Sequence, residues 1–343
     1  MAVEINLRPT TIAMVWENFK VAETMLEPLW PIKDNPIAGP WVKYDLIDRS
    51  RERPRVNTRT GRPNYQDPDP LAIILLEAQT WRDGARIDGE TLHDMRKPGS
   101  SDTNRFDYEV QDRVGQLRRR LTRFQEWERC QGMQGVKTFY PPGMDTCDHY
   151  DEQLVTSTSC IDSTVAAAWN TASATQAAAR TNLASIRTDF QTARTAMAAV
   201  EMTLDQVWMN SVTLGYIETQ WMAAGYEFAT ELLMGSVHLT RLWGVDVKIN
   251  DLTYVHPVSG ATTYYIPTGD AIFIDSDNAR TGRQLIQCNA AHVEAPAMHM
   301  GVYFSTYTDK EPPGEIQIGA EWSGIPSIPV PCSQYIYTDV TSA

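Results

Sequence analysis

The sequence of 343 residues is poor in positive charge: 30 lysines and arginines stand against 43 aspartates and glutamates, a formal charge of −13. Such a chain is repelled as a whole by phosphate backbones and anionic membranes, which argues against a sequence-reading nucleic-acid binder. Long apolar runs are also missing. The longest wholly aliphatic stretch is Leu71 to Leu76, far short of the ~20 residues that span a bilayer. The first residues carry an acid at Glu4 and no apolar core, so they do not read as a secretory signal, and a soluble, non-exported chain is expected. Cysteine is scarce. Cys130, Cys147, Cys160, Cys288 and Cys332 form no CxxC and are odd in number, which predicts reduced thiols and no disulfide framework.

Catalytic signatures are absent as well. There is no GxxxxGK[ST] loop, GxGxxG, GxSxG elbow or HExxH, so the common routes to nucleotide, acyl or zinc chemistry have no anchor. The densest ligand-like cluster is Cys147-Asp148-His149 with Asp151 and Cys160. Zinc accepts those atoms, but structural sites use paired short spacings and no second pair exists. His292 and His299 flank Glu294 and Pro296 at a spacing of seven, which fits neither HExxH nor a triad. These residues read as packing and loop positions; catalytic residues, metals and cofactors are all expected to be none.

What the chain does have is 42% hydrophobic residues, enough for a substantial core. Proline is concentrated: positions 28, 31, 36, 40, 54, 63, 68, 70 and 98 hold nine of the 20. Proline fixes φ and lacks a ladder donor, so this stretch cannot be mostly helix or central strand. It nevertheless contains Trp30, Trp41, Tyr44, Tyr65, Trp81 and the Leu71 to Leu76 run, too apolar for a solvated linker. An extended arm and loop that bury these groups on other subunits satisfy both facts. Arg49, Arg51, Arg53, Arg55, Arg59 and Arg62 lie within it, and every-second spacing from 49 to 55 puts four guanidinium groups on one face of a strand. A nucleic-acid patch is one reading; a hairpin tip pairing with an acidic neighbour, or a solvated loop, is the commoner case, and the net charge favours protein pairing.

After Ser100-Ser101-Asp102, Phe106, Val110, Val114, Leu117, Leu121, Phe124 and Trp127 step by three or four, predicting a long helix over about 102–131. Acids gather toward its start and arginines toward its end, the polarity that a macrodipole favours, with Gly132 and Gly135 to close it. Leu183, Ile186, Phe190, Ala193, Met197 and Val200 predict a second helix over about 173–200. Asn210-Ser211 caps a third helix to Trp221, and Tyr226 to Trp243 reads as a fourth. From Val245 the pattern alternates, with a turn at Val258-Ser-Gly260 and short strands through Ala271–Ile274 to Tyr337. The fold class is α+β with local hairpins and no βαβ repetition.

This order resembles the tailed-bacteriophage major capsid protein, in particular the lambda-type capsid protein E family with the Hong Kong 97-type fold. The resemblance is strongest in Leu242-Trp-Gly-Val-Asp-Val-Lys-Ile-Asn-Asp-Leu-Thr-Tyr254, Gly260 and Tyr264-Tyr-Ile-Pro-Thr-Gly-Asp-Ala-Ile-Phe-Ile274. It continues in Arg280-Thr-Gly-Arg283, Trp322 and Ile325-Pro-Ser-Ile-Pro-Val-Pro331. It implies an N-terminal arm (1–45), an extended loop (46–98), a peripheral domain (99–164) with a spine helix at 102–131, an axial domain (165–282), and returning peripheral strands (283–343). It further implies a non-catalytic subunit forming hexamers and pentamers of an icosahedral head around double-stranded DNA, with portal and scaffolding proteins and a decoration protein as partners, no membrane, and the virion as its location. Family shells that crosslink covalently need a lysine in the extended loop, and none lies between Lys43 and Lys97, so that chemistry is not expected. Intersubunit contacts are expected from the six arginines, from Trp16, Trp30 and Trp41, and from Leu71, Ile73, Ile74 and Leu76. Residues 1–30 are expected to be dispensable for the folded core. An encapsulin-like shell holding protein cargo and an intracellular metal-dependent enzyme are the alternatives.

Overall fold

The computed structural model describes residues 9–18, 24–33, 37, 41–47, 71–88, 103–139, 150–154, 160–162, 165–226, 239–255, 260–288, 298–299, 302–309 and 315–341. In chain order the first elements are α1 (Pro9–Asn18), β1 (Trp41–Ile47), β2 (Leu71–Glu77), β3 (Gln79–Asp88), α2 (Thr103–Gln134), β4 (Val136–Phe139), β5 (Tyr150–Gln153) and β6 (Ile161–Asp162). Next come α3 (Gln176–Ala199), β7 (Gln206–Met209), α4 (Ser211–Ala223), β8 (Arg241–Leu242), β9 (Val245–Ile249), β10 (Thr253–Val255), β11 (Thr262–Tyr264) and β12 (Ala271–Ile274). The chain closes with α5 (Asn278–Thr281), β13 (Gln284–Cys288), β14 (Met298–His299), β15 (Val302–Asp309), β16 (Glu315–Ser327) and β17 (Gln334–Tyr337). These fold as two compact units: Met1–Lys43, Ile74–Arg129 and Gln284–Pro326 form one, and Tyr44–Ile73, Cys130–Arg283 and Ser327–Ala343 the other.

The first unit is a helix-on-sheet layer. β16 lies antiparallel between β15, from Val302↔Trp322 to Asp309↔Glu315, and β3, from Asp88↔Glu315 to Gln79↔Gly324. Alternation then sends Ile316, Ile318, Ala320 and Trp322 to the same face as Ile87, Val302 and Phe304. The stripe Val110, Val114, Leu117 and Leu121 of α2 joins that cluster, as do Ile12, Ala13 and Trp16 of α1. Each Val, Leu, Ile or Phe side chain among them contributes roughly 1.5–3 kcal/mol by leaving water. The Trp16 ring meets Phe304 edge-on at 5.1 Å, and Arg118 lies over it at 5.6 Å while donating to the Trp16 carbonyl oxygen. The N-terminal segment is therefore part of this core, contrary to the expectation of a dispensable arm. Its aromatic groups find apolar surface on their own chain.

Helix α2 runs three residues past the expected end and stops where Gly135 takes φ 69°, the left-handed conformation that glycine adopts without strain. The first turn from Thr103 holds no acid and the last turn no base, while Asp102, the acid expected at the very start, lies outside the described residues.

The second unit is built on a six-stranded sheet ordered β6-β17-β12-β7-β9-β8. Thr175 caps α3 by accepting from the Ala178 amide at 3.2 Å, and Asn210 caps α4 by accepting from the Thr213 amide at 2.8 Å. Leu183, Ile186, Phe190, Ala193 and Met197 of α3 all point into the core, in the expected register. Phe190 is the hub, with ring centroids 4.8 Å from both Phe273 and Trp243 and 6.2 Å from Trp169. The Trp169 indole donates to Asp189, whose other oxygen accepts from the Ala166 amide; that pairing is what lets a carboxylate sit buried there.

Two readings change here. β7 and β9 are parallel, so β7-α4-β9 makes one βαβ crossover, and the two larger sheets are closed mainly by distant pairings such as β3 with β16 and β12 with β17, where local hairpins were expected. The expected helix from Tyr226 to Trp243 gives way at its described end to β8 and a tight turn, with φ 45° at Trp243 and 86° at Gly244; residues 227–238 lie outside the described residues.

The reduced-thiol expectation is also corrected. Cys160 and Cys332 are disulfide-bonded across 172 residues, with Cα atoms 5.5 Å apart, within the usual span of such a bond. Their spacing in sequence carried no hint of this because the parallel pairing of β6 with β17, Ile161↔Ile336 and Asp162↔Tyr337, is what brings them together. Cys130 and Cys288 are buried and outside any disulfide among the described residues, and burial raises the Cys288 thiol to about 11.

Candidate assembly surfaces

Most of the residues that could have carried metal or acid–base chemistry are not among the described ones. Cys147, Asp148, His149, His292 and Glu294 lie outside the described residues, and Cys160 is taken by its disulfide. Among the described residues no three His, Cys, Asp or Glu side chains gather as a metal site would require. No helix among them is long and apolar enough to cross a membrane.

The best-developed charged network, in the second unit, is architectural. Asp275 accepts from the Thr203 and Asp277 amides at 2.8 and 2.9 Å and from Arg280 at 3.2 Å. Asp205 accepts from the Ser276 amide at 2.9 Å and from the Ser276 hydroxyl. Arg283, fully buried, donates to the Asp275 carbonyl oxygen and to Thr281. Burial lowers its pKa to about 10, against the pull of Asp275 and Asp205, so it stays charged at neutral pH. The result is a clamp on the turn between β12 and β13, the Arg280-Thr-Gly-Arg283 segment.

The expected intersubunit residues divide into three groups. Arg49, Arg51, Arg53, Arg55, Arg59 and Arg62 lie outside the described residues. Trp16 and Trp30 are 3% and 0% exposed within their own chain, so neither is an open anchor; the core of the first unit has already claimed them. Trp41, on β1, is 52% exposed. On β2, Ile73 is 58% exposed, Ile74 is half-buried and Leu76 is buried, while nothing is described of the Leu71 side chain. Leu75, equally exposed at 58%, belongs with Ile73. The period of two along a strand was the available signal, since it puts 73 and 75 on one face and 74 and 76 on the other.

A second surface was not foreseen. The outward face of β3 and β16 carries Arg82 with Glu321 at 3.0 Å and Arg86 with Glu315 at 3.8 Å, cross-strand pairs that are worth little individually because both arginines are well exposed. Between them Gly84 faces Gly319, and Tyr307 of β15 stands 62% exposed beside them. A further acid-free surface is α3, whose exposed positions are Ala, Thr, Gln and the arginines 180, 187 and 194. Thr181, Thr188, Thr192 and Thr195 each donate to the carbonyl four residues earlier.

A family model described as phage major capsid protein E matches residues 10–319. A phage-related protein from Bordetella bronchiseptica RB50 superposes with a TM-score of 0.55 at 13% identity, covering 97% of each chain. A protein of an E. coli CFT073 prophage, assigned as its capsid protein, superposes with a TM-score of 0.59 at 10% identity, covering 96% of this chain and 98% of its own. At such identities the likeness is one of fold. No curated protein matches the sequence.

Proposed function

Because the chain belongs to the phage major capsid protein E family, we propose that it performs its structural, non-enzymatic role in the phage capsid by forming hexameric and pentameric capsomers of an icosahedral head around double-stranded DNA. Self-assembly in the capsid is what the family does; the capsomer types, the DNA and the other partners are the finer reading. One observation carries it. β1 and β2 bracket the arginine-bearing segment 48–70, and each presents large apolar side chains to solvent, Trp41 on one and Ile73 with Leu75 on the other. Exposed groups of this size need a partner surface, and permanent assemblies bury large apolar interfaces of this kind.

In this reading residues 1–45 form an arm, 46–98 an extended loop whose six arginines meet acidic surface on a neighbour, 99–164 with most of 283–343 the peripheral domain, and 165–282 the axial domain. Within the arm, Ile12, Ala13, Trp16, Leu26, Leu29 and Trp30 are buried within their own chain. The acidic net charge suits a DNA container, because a wall that held duplex through many phosphate contacts would hinder both entry and release. Portal and scaffolding proteins, and a decoration protein, are the further partners. Negative-stain electron microscopy with light scattering on the purified chain tests the proposal. Closed shells or capsomer rings are expected; a discrete monomer or dimer at all concentrations refutes unaided assembly.

A further inference from the structure

The Cys160–Cys332 bond raises a question about the compartment in which the chain folds. Capsids are assembled from chains made in a cytoplasm, where thiols are kept reduced and structural disulfides are rare. Yet the folded second unit holds these two residues at bonding distance, 5.5 Å between Cα atoms, so that no backbone movement is needed to close or open the bond. The two sulfurs also differ in access. Cys160 is 1% exposed, whereas Cys332 is only partly covered.

The bond sits at a mechanically weak place. Among the described residues β6 is two residues long and joins the sheet edge through its parallel pairing with β17 alone. A pairing so short has little cooperativity of its own, and an edge strand has no second neighbour to hold it. Cys160 immediately precedes β6, and Cys332 lies in the 3-10 turn leading into β17. The next residue, Ser333, accepts the Asp275 amide at 3.2 Å, so this turn is also tied to the clamp that organises Arg280 and Arg283. Closing the disulfide staples the edge strand to that turn.

We propose that Cys160 and Cys332 form a redox-operated latch: the chain folds and assembles with both thiols reduced, and the bond closes when the capsid reaches an oxidising medium. The proposal rests on the capsid reading for its timing and on the second unit alone for its chemistry. The oxidant is a low-molecular-weight disulfide. The Cys332 thiolate, the more accessible, attacks one sulfur and releases the first small thiolate, leaving a mixed disulfide. The Cys160 thiolate then attacks the Cys332 sulfur and releases the second. The two thiol protons end on the two small thiols formed, so one small disulfide is reduced for each protein disulfide made.

The test lyses cells into denaturant containing N-ethylmaleimide, so that buried thiols are alkylated as well, and counts modified residues by mass spectrometry; a native sample exposed to oxidised glutathione is then denatured and counted in the same way. A loss of two alkylated cysteines per chain is expected, with a linked Cys160–Cys332 peptide and a rise in melting temperature on the order of 5–10 °C. Cys160→Ser is expected to trap glutathione on Cys332, and Cys332→Ser to leave buried Cys160 unmodified. A bond already complete in the lysis-trapped sample overturns the latch, as does failure to form the bond with oxidant. The count is made on unassembled chains as well, so that a chain which never forms shells refutes the proposed function while the latch is still decided by its thiols.

Discussion

Arg129 donates from its Nε to the carbonyl oxygen of Trp30 at 3.0 Å, joining helix α2 to a residue 99 positions away. The same guanidinium reaches the Thr24 hydroxyl at 3.0 Å and Glu126 at 3.5 Å, and Glu126 accepts from the Leu26 amide at 3.1 Å. Both charged side chains are almost wholly buried, at 1% and 3% exposure. One turn of α2 thus holds the whole 24–30 turn in place. From there the chain continues as an added parallel partner of β13, with Lys33 and Ile37 amides donating to the Leu285 and Gln287 carbonyls at 3.0 and 2.8 Å.

Removing one member of a buried ion pair leaves the other charge without compensation, at a cost of about 3–5 kcal/mol. Arg129→Met is therefore expected to lower unfolding stability by about 3 kcal/mol or more, measured by urea denaturation of unassembled chain. Adding Glu126→Gln should recover part of the loss, since the orphaned carboxylate is then gone. Equal loss in the single and double variants would show that packing, and not charge, governs the site. A chain lacking residues 1–30 should lose cooperative unfolding in the first unit, because Ile12, Ala13, Trp16, Leu26, Leu29 and Trp30 all leave its core.

Glycines separate close packing from open helix surface. A Cβ on Gly324 would lie 2.4 Å from the Trp322 ring and 2.9 Å from the Ile286 carbonyl oxygen, and a backbone atom cannot yield. Gly324→Ala is expected to cost about 1–3 kcal/mol. Gly215, inside α4, has nothing within 4 Å of such a Cβ, so Gly215→Ala should stabilise by about 0.5–1 kcal/mol through helix propensity. Thermal melts of the two variants shifting in the same direction would contradict this account.

Much of this architecture was legible in periodicity. The stripe from Leu183 to Met197, the Asn210 cap and the hairpin around Gly260 each depend on neighbours in sequence, and each stands in the expected place. What depended on distant partners was not legible. Trp16 and Trp30 were readable as aromatic groups needing cover, but only the tertiary fold shows that the cover is their own chain. Cys160 and Cys332 meet through a parallel pairing that leaves no local trace. β16 alternates only as far as Ala320, then is buried on both faces through Ser327, so its inner half has no period-two signal. Ile73 and Leu75 could have been separated from Ile74 and Leu76 by strand alternation, had the apolar run been read as a strand and not as one undivided surface.

Asp270 supplies a pH response in the second unit. Burial raises its carboxyl to about 6; an accepted hydrogen bond from the Asp339 amide at 3.1 Å opposes that rise, and the Asp339 charge adds to it. The folded state therefore holds the proton more tightly than the unfolded chain, whose aspartates titrate near 3.8. Stability from this group is fully present below about pH 4 and is lost as pH climbs through 6. Asp270→Asn keeps an oxygen for the Asp339 amide and removes the titration. It is expected to raise the melting temperature at pH 7.5 and to leave it nearly unchanged at pH 4. An equal gain at both values would assign the effect to something other than proton binding.

The last expectation separates the two chemistries assigned to the loop and its flanks. If the arginines pair with acidic surface on a neighbour, replacing Arg51, Arg53 and Arg55 by glutamate turns attraction into repulsion and blocks shell formation while the monomer stays folded. Because such pairing is Coulombic and solvent-exposed, the wild-type interaction should also weaken as salt shortens the screening length from about 10 Å at 0.1 M to about 3 Å at 1 M. Ile73→Glu with Leu75→Glu acts on apolar burial instead, so its assembly defect should persist at every ionic strength. Light scattering across a salt series reads both. Normal shells from the arginine variant would remove the loop from the interface, and normal shells from the Ile73 and Leu75 variant would mean that this exposed face of β2 stays in solvent after assembly.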